Sequence, residues 1–262
     1  MSGVLFIIPA LIGWVGGWLV NYLSDVLPFT RRLSQPACLQ CGVGFTWRDY
    51  LFFRNCQNGH RRNFRVWIVQ ALAMAASLYL WGNPPSKLGY PLGFILILYF
   101  GTIFVIDMEH RLILHPTSIF GSLLGLLVGT VSHGIYPTLL GGLGGLLIML
   151  VLYYLGVFFT RFRLRKLQAS GQPADEEEAL GAGDVILSMV IGLILGWPLI
   201  WFGILVAVLL GGAFSILFLL SLVLTRKYQT NALMIFLPYG PYLIASAFWI
   251  MFFPKSLAAL VP

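Results

Sequence analysis

Eight apolar stretches, separated by turns or charged loops, most constrain what this chain can fold into. They lie at 4–23, 66–82, 92–106, 117–133, 138–160, 184–197, 199–224 and 236–253. About 20 apolar residues in a helix cross the roughly 30 Å hydrocarbon core of a bilayer. Only 10% of the 262 residues are charged, whereas soluble domains carry about 25%. The sequence therefore predicts an all-α polytopic membrane protein with about eight transmembrane helices.

The charges predict how these helices are oriented. All nine acids and 14 of the 16 Lys and Arg residues lie in or beside the loops at 24–65, 107–116, 161–183 and 225–235. The positive-inside rule places these loops in the cytoplasm, so both termini are expected outside the cell (inner) membrane. The net charge of +7 then reflects membrane orientation. We expect the basic face to contact anionic membrane lipid and not to bind nucleic acid.

The same pattern predicts three parts of the chain. Residues 1–23 form the first transmembrane helix, residues 24–65 a small cytoplasmic lobe, and residues 66–262 a transmembrane core. Within the core, 161–183 begins basic and ends with the acids at 175–178. This composition is typical of a flexible surface loop.

Two aspartates stand at the cytoplasmic ends of the two shortest stretches. Asp107 follows 92–106, and Asp184 begins 184–197. Helices of about 15 residues reach only ~22 Å, so we expect both carboxylates in a recessed site, where ionisable groups are usually functional. The helix dipole favours negative charge on Asp184, at an N-terminus, over Asp107, at a C-terminus. For a hydrolytic reaction, Asp184 is therefore predicted to activate water as a base. Asp107, in its protonated form, is predicted to hydrogen-bond the carbonyl of the substrate bond that is cleaved.

These residues also have structural interpretations. Asp184 is a candidate N-cap, a position that prefers Asp, and Asp107 fits a solvated residue at the membrane interface. Gly181 and Gly183 permit unusual backbone angles and the close approach of an extended substrate. They are equally compatible with a simple loop before a helix.

All three cysteines lie in the first cytoplasmic loop. Cys38 and Cys41 form a Cys-x-x-Cys pair, and 14 residues later Cys56 is followed by His60. Cytoplasmic thiols are usually reduced, so this spacing favours a metal site over a disulfide. Three thiolates and one imidazole form a tetrahedral zinc site, and unliganded thiols are the alternative.

Four segments occur in this order along the chain: Gly17-Trp18-Leu19-Val20-Asn21 through Leu27-Pro28, Phe104-Val105-Ile106-Asp107, Glu178-Ala179-Leu180-Gly181-Ala182-Gly183-Asp184-Val185, and Leu237-Pro238-Tyr239-Gly240-Pro241-Tyr242. Together they resemble segments of the bacterial prepilin peptidases, the polytopic aspartyl proteases that process type IV pilins and pseudopilins. The resemblance implies that Asp107 and Asp184 are catalytic. It also implies cleavage of a short basic leader on the cytoplasmic side, between Gly and usually Phe. In many members, methylation of the new amino terminus with S-adenosylmethionine follows.

Such a leader is positively charged, so the acids that end with Glu178 are a candidate docking element, or alternatively a solvated charge run. Two other functions remain open. The aspartates would serve a transporter as a proton or cation relay, although the sequence lacks the internal repeat and mid-membrane charges typical of transporters. A non-catalytic assembly protein would use the cysteine lobe as its contact surface.

Overall fold

The structure is a computed structural model that describes residues 4–169, 181–224 and 239–253. These residues form nine helices: α1 (Val4–Thr30), α2 (Trp47–Leu51), α3 (Phe64–Gly82), α4 (Gly89–His110), α5 (His115–His133), α6 (Ile135–Ala169), α7 (Ala182–Leu195), α8 (Leu199–Leu224) and α9 (Gly240–Phe252). The chain divides into two compact units, residues 1–121 and 122–262.

In the first unit, α1 packs closely against α3 because small and polar residues face each other. A Cβ at Gly17 would lie 2.9 Å from the side-chain oxygen of Gln70. The Gln70 amide donates a hydrogen bond to the Trp14 carbonyl at 2.6 Å, and the Ser77 hydroxyl donates to the Pro9 carbonyl at 2.5 Å. These bonds satisfy buried polar groups and fix the register of the two helices.

The first unit also buries the end of α1 against the end of α4. Leu27 and Ile106 form an apolar cluster with Leu114, which follows α4. Asn21 is fully buried, and its amide donates to the Val66 carbonyl of α3 at 3.1 Å. The C-terminal ends of α1 and α4 and the N-terminal end of α3 are therefore tied to one another.

In the second unit, α7 is surrounded by α6, α8 and α9. Its contact with α6 depends on glycine, because a Cβ at Gly192 would lie 2.2 Å from the Gly141 carbonyl oxygen, and a Cβ at Gly145 would lie 2.3 Å from the Ser188 carbonyl oxygen. The Ser188 hydroxyl donates to the Gly145 carbonyl at 3.1 Å. Small residues let helix backbones approach to this distance, as is common in membrane proteins.

The prediction of an all-α, multi-pass membrane protein is confirmed. Each of the eight apolar stretches contains a helix, and no strand occurs among the described residues. Within the described part of the chain, five helices are long and apolar enough to cross a membrane, namely α1, α3, α4, α6 and α8. The apolar helices α7 and α9 are shorter, so the count of eight spans is approximate.

Three helices extend well beyond the stretches that predicted them. Helix α1 continues past residue 23 to Thr30, and α6 continues past residue 160 to Ala169. The predicted loop 161–183 is therefore helical in its first part, since Arg and Lys are good helix formers; residues 170–180 lie outside the described part. Helix α4 has 22 residues, or about 33 Å. The expectation of a short helix before Asp107 was wrong.

Candidate catalytic aspartates and metal centre

Asp107 lies in the last turn of α4 and is 4% exposed. Its carbonyl oxygen accepts a hydrogen bond from the Arg111 N–H at 2.9 Å. Arg111 has a φ of 54° and ends the helix in the left-handed region. Because α4 has 22 residues, a short helix does not account for the burial of Asp107.

Asp184 lies in the first turn of α7 and is 8% exposed. Its carboxylate accepts a hydrogen bond from the Gly181 N–H at 3.3 Å, so Gly181, and not Asp184, is the N-cap residue. The helix dipole and this donor both favour a negative charge at Asp184. Asp107 belongs to the first unit and Asp184 to the second.

The glycines beside Asp184 have ordinary backbone angles. Gly181 has a φ of −79°, and Gly183 lies within the first turn of α7. Neither is among the positive-φ glycines of the described residues, so neither adopts the left-handed angles that glycine permits. A Cβ at Gly181 would meet nothing closer than the Asp184 carboxylate at 3.6 Å. Glu178, the predicted docking acid, lies outside the described residues.

Cys38, Cys41, Cys56 and His60 converge in the first unit. Their ligand atoms all lie within 4.8 Å of one another. The Cys41 and Cys56 sulfurs are 3.4 Å apart, and the Cys38 sulfur is 3.8 Å from the His60 Nδ1. Thiolates in a tetrahedral zinc site with bonds of about 2.3 Å are about 3.8 Å apart. The four residues therefore form a group that can hold a metal ion.

Two tight turns present these ligands. The Gly42 N–H donates to the Cys38 carbonyl at 2.8 Å, and the Gly59 N–H donates to the Cys56 carbonyl at 2.8 Å. Gly42 and Gly59 have φ values of 73° and 79°, which other residues adopt only with strain. One of the two turns thus lies immediately before His60.

The local backbone also favours the thiolate form of Cys38. Although burial raises the pKa of the Cys38 thiol, backbone hydrogen bonds at Gln40 and Cys41 lower it, and the pKa falls to about 6. A thiolate is the form that binds metal.

Comparison with known families identifies the part of the chain that holds the aspartates. Residues 94–216, just under half of the chain, match the model of the type IV leader peptidase family. This match relates the stretch that holds both aspartates to the type IV leader peptidases. The resemblance to the prepilin peptidases is thus confirmed, and the family's proteases are of the aspartic type. No curated protein and no solved structure matches the chain.

The family match covers only part of the features described above. It includes Asp107, Asp184 and the flanking glycines, but it begins after the cysteine lobe and ends before α9. Tyr239 precedes α9, and Pro241 lies in its first turn. Leu237 and Pro238, which belong to the same predicted segment, lie outside the described residues.

Sequence reasoning missed a buried ionic network in the first unit. Asp25 of α1 accepts a hydrogen bond from the Tyr50 hydroxyl at 2.5 Å and is paired with Arg65 and, at 3.7 Å, with Arg62. Arg65 also donates to Glu109 of α4 at 2.6 Å. Burial, together with the negative charge of Asp25, raises the pKa of the Tyr50 phenol. The one signal in the sequence was that an acid, Asp25, follows the first apolar stretch and that several arginines precede the second.

Proposed function

We propose that this protein is a leader peptidase that uses Asp107 and Asp184 to cleave pilin-like or pseudopilin precursors. The observation that carries the proposal is the position of the two aspartates. Both fall within the family match, and each is buried in an end turn of a helix. Buried carboxylates next to a membrane are costly and are usually retained for function.

The proposed reaction is an aspartyl-type hydrolysis. Ionised Asp184 takes a proton from water, and the resulting hydroxide attacks the scissile carbonyl carbon. Protonated Asp107 hydrogen-bonds the carbonyl oxygen, whose charge grows as the tetrahedral intermediate forms. The C–N bond then breaks, and the leaving amine takes a proton from the dyad. The Gly181 N–H and the α7 dipole support the ionised form of Asp184.

The proposed substrate carries a short basic leader before a hydrophobic helix, with Gly and usually Phe at the cleavage point. This choice rests on the family and on the acids at 175–178, which have the complementary charge. Gly181 and Gly183 are proposed to leave room for the extended substrate next to Asp184, since neither carries a side chain.

We further propose that the metal bound by Cys38, Cys41, Cys56 and His60 is zinc. Three sulfurs and one imidazole nitrogen suit zinc, and their separations agree with tetrahedral coordination. Bound zinc supplies cross-links that hold a short, loop-rich lobe in one fold. The chemistry of cleavage is assigned to the aspartates alone.

Methylation with S-adenosylmethionine stays a prediction of the resemblance. The described residues contain no strand–turn–helix unit with a glycine-rich loop, which is a common nucleotide site. We therefore assign no residue to this cofactor.

The charge distribution supports a cytoplasmic catalytic face in the cell (inner) membrane, with both termini outside. Labelling of single introduced cysteines by a membrane-impermeant reagent tests this orientation. A cysteine at Ser86 should be labelled from outside intact cells, and one at Arg111 only after lysis. The reverse result would contradict the proposed orientation.

The function is tested by incubating the purified protein with a precursor peptide that carries a basic leader and a hydrophobic helix. We expect the wild type to release the leader, and Asp107→Asn and Asp184→Asn to release none. Asp49→Asn, which changes an acid in the cysteine lobe, is the matched control and should cleave normally. Cleavage that persists in either aspartate variant would remove that residue from the mechanism.

A further inference from the structure

Arg65 lies between two acids that belong to two other helices. From the first turn of α3, one nitrogen of its guanidinium donates to Asp25 of α1, and the other terminal nitrogen donates to Glu109 of α4 at 2.6 Å. The Arg65 side chain is 14% exposed and that of Asp25 9% exposed. A planar guanidinium can hold two carboxylates in fixed positions, which a lysine ammonium does less well.

The acid held on α4 is close in sequence to a proposed catalytic residue. Glu109 follows Asp107 by two positions in the last turn of α4. Residues two apart do not share a helix face, so the effect of Arg65 on Asp107 through Glu109 passes through the backbone of this turn. The turn is closed by the Arg111 N–H, which donates to the Asp107 carbonyl.

The other side of the network leads to the metal group. Asp25 is held by the Tyr50 hydroxyl at 2.5 Å and by Arg62 at 3.7 Å. The Arg62 guanidinium lies 3.9 Å from the centre of the Tyr50 ring, and the Arg62 side chain is 8% exposed. Arg62 follows His60 by two residues, and the His60 carbonyl accepts the Cys56 N–H at 3.1 Å.

The metal group and the network thus share one short segment, residues 56–65. Its first half supplies Cys56 and His60, and its second half supplies Arg62 and Arg65. Cys38, His60, Arg62 and Arg65 line the same cavity of about 410 Å³. A metal that fixes the first half of this segment restricts the positions open to Arg65.

We propose that Arg65 is a positioning residue that couples the metal-bound lobe to the turn of α4 holding Asp107. Metal binding orders residues 56–60. Stacking of Arg62 on the Tyr50 ring then restricts the residues that follow, and Arg65 holds Glu109 in place. The consequence for cleavage rests on the proposed function, whereas the coupling itself does not.

Hydrogen exchange tests the coupling without any substrate. The full-length, zinc-loaded protein in detergent micelles is compared with Arg65→Met and with Cys41→Ser, by mass spectrometry of the segment 104–112. We expect exchange at the end of α4 to become roughly tenfold faster in both variants, as local opening becomes easier. The segment 69–77 within α3 should exchange as in the wild type, which shows that the unit remains folded.

The control is Arg54→Met. Arg54 is also an arginine of the lobe, but it pairs at 3.7 Å with Asp49 and its side chain is 72% exposed. This variant should leave exchange at 104–112 unchanged. An unchanged exchange rate of segment 104–112 in Arg65→Met would overturn the proposal. Equal acceleration of exchange in Arg65→Met and Arg54→Met would also overturn it.

Kinetics supply a second test. A displacement of about 1 Å at a reacting group can cost roughly 100-fold in rate. We expect Arg65→Met and Glu109→Gln to lower kcat roughly 10- to 100-fold and to leave KM within about twofold. The double variant should be no slower than Arg65→Met alone, because both changes break one link. Arg65→Lys should recover part of kcat.

The outcomes separate this proposal from the proposed function. Accelerated exchange in a protein whose wild type cleaves no precursor would overturn the peptidase function and keep the coupling. Normal cleavage by Arg65→Met, with zinc content and exchange equal to those of the wild type, would overturn the coupling and keep the function.

Discussion

The sulfur atoms of Cys41 and Cys56 lie 3.4 Å apart, although 14 residues separate them in the chain. A disulfide would bring them to about 2.05 Å, whereas thiolates that share a zinc ion are about 3.8 Å apart. All three cysteines are free. The separation excludes a disulfide and is compatible with two ligands of one metal.

The first prediction concerns metal content. Protein purified without chelators should carry one zinc per chain by elemental analysis. Cys41→Ser and His60→Ala should each lose most of it, because a structural site needs all four ligands. His115→Ala changes an exposed histidine outside the group and is the control. Zinc retained in His60→Ala would show that the assigned ligand set is wrong.

The second prediction concerns the buried network around Asp25. Asp25→Asn removes the negative charge that compensates the buried Arg62 and Arg65. It should lower the free energy of unfolding by about 3–5 kcal/mol. Tyr50→Phe removes one hydrogen bond to a carboxylate and should cost about 1.5–3 kcal/mol. Asp49→Asn weakens an ion pair whose Arg54 partner is exposed and should cost less than about 1 kcal/mol.

These three variants are compared by thermal unfolding in detergent, at fixed zinc and detergent concentrations. The account requires the order Asp25→Asn, Tyr50→Phe, Asp49→Asn, from most to least destabilising. Equal stability of Asp25→Asn and Asp49→Asn would mean that the network contributes nothing to the stability of the lobe.

The third prediction concerns the contact between α6 and α7. A Cβ at Gly192 would lie 2.2 Å from the Gly141 carbonyl oxygen, so Gly192→Ala must move one backbone and should cost about 1–3 kcal/mol. Gly212, on α8, has no atom within 4 Å of a new Cβ. Gly212→Ala should be neutral or stabilising by up to about 1 kcal/mol. The melting temperatures of the two variants test this contact between α6 and α7. Equal melting temperatures would refute the contact.

The fourth prediction separates fold from substrate binding at Gly181. A Cβ there has room, since the Asp184 carboxylate at 3.6 Å is its nearest contact, and the φ of −79° suits alanine. Gly181→Ala should therefore lower the free energy of unfolding by no more than about 1 kcal/mol, the cost of replacing glycine by alanine at the N-cap of α7. If the substrate backbone passes close to Gly181, KM for the precursor should rise roughly tenfold. An unchanged KM would exclude close approach at this position.

Much of the fold was predictable from the sequence because long apolar stretches leave few alternatives. The aspartates stood out because charge is rare in this chain, and Asp107 and Asp184 adjoin apolar stretches. The metal group was predictable because ligands such as Cys38 and Cys41 show a characteristic spacing. In each case the signal was local.

What the sequence did not reveal depends on contacts between distant residues. Helix α1 continues through Asp25 because Arg62 and Arg65 neutralise a charge that looks like the start of a loop. Helix α4 likewise continues to His110, with Glu109 held by Arg65. Such partners lie about 40 residues apart, and no local pattern predicts them.

The central claim is that Asp107 and Asp184 act as one catalytic unit. The most direct test is single-turnover cleavage of a precursor peptide by the wild type, Asp107→Asn, Asp184→Asn and the double variant, all at equal zinc content. Groups that act together are strongly non-additive. We predict that each single variant loses roughly 1,000-fold or more in rate and that the double variant is no slower than either. Near-wild-type cleavage by one single variant, or losses that multiply in the double variant, would contradict the account.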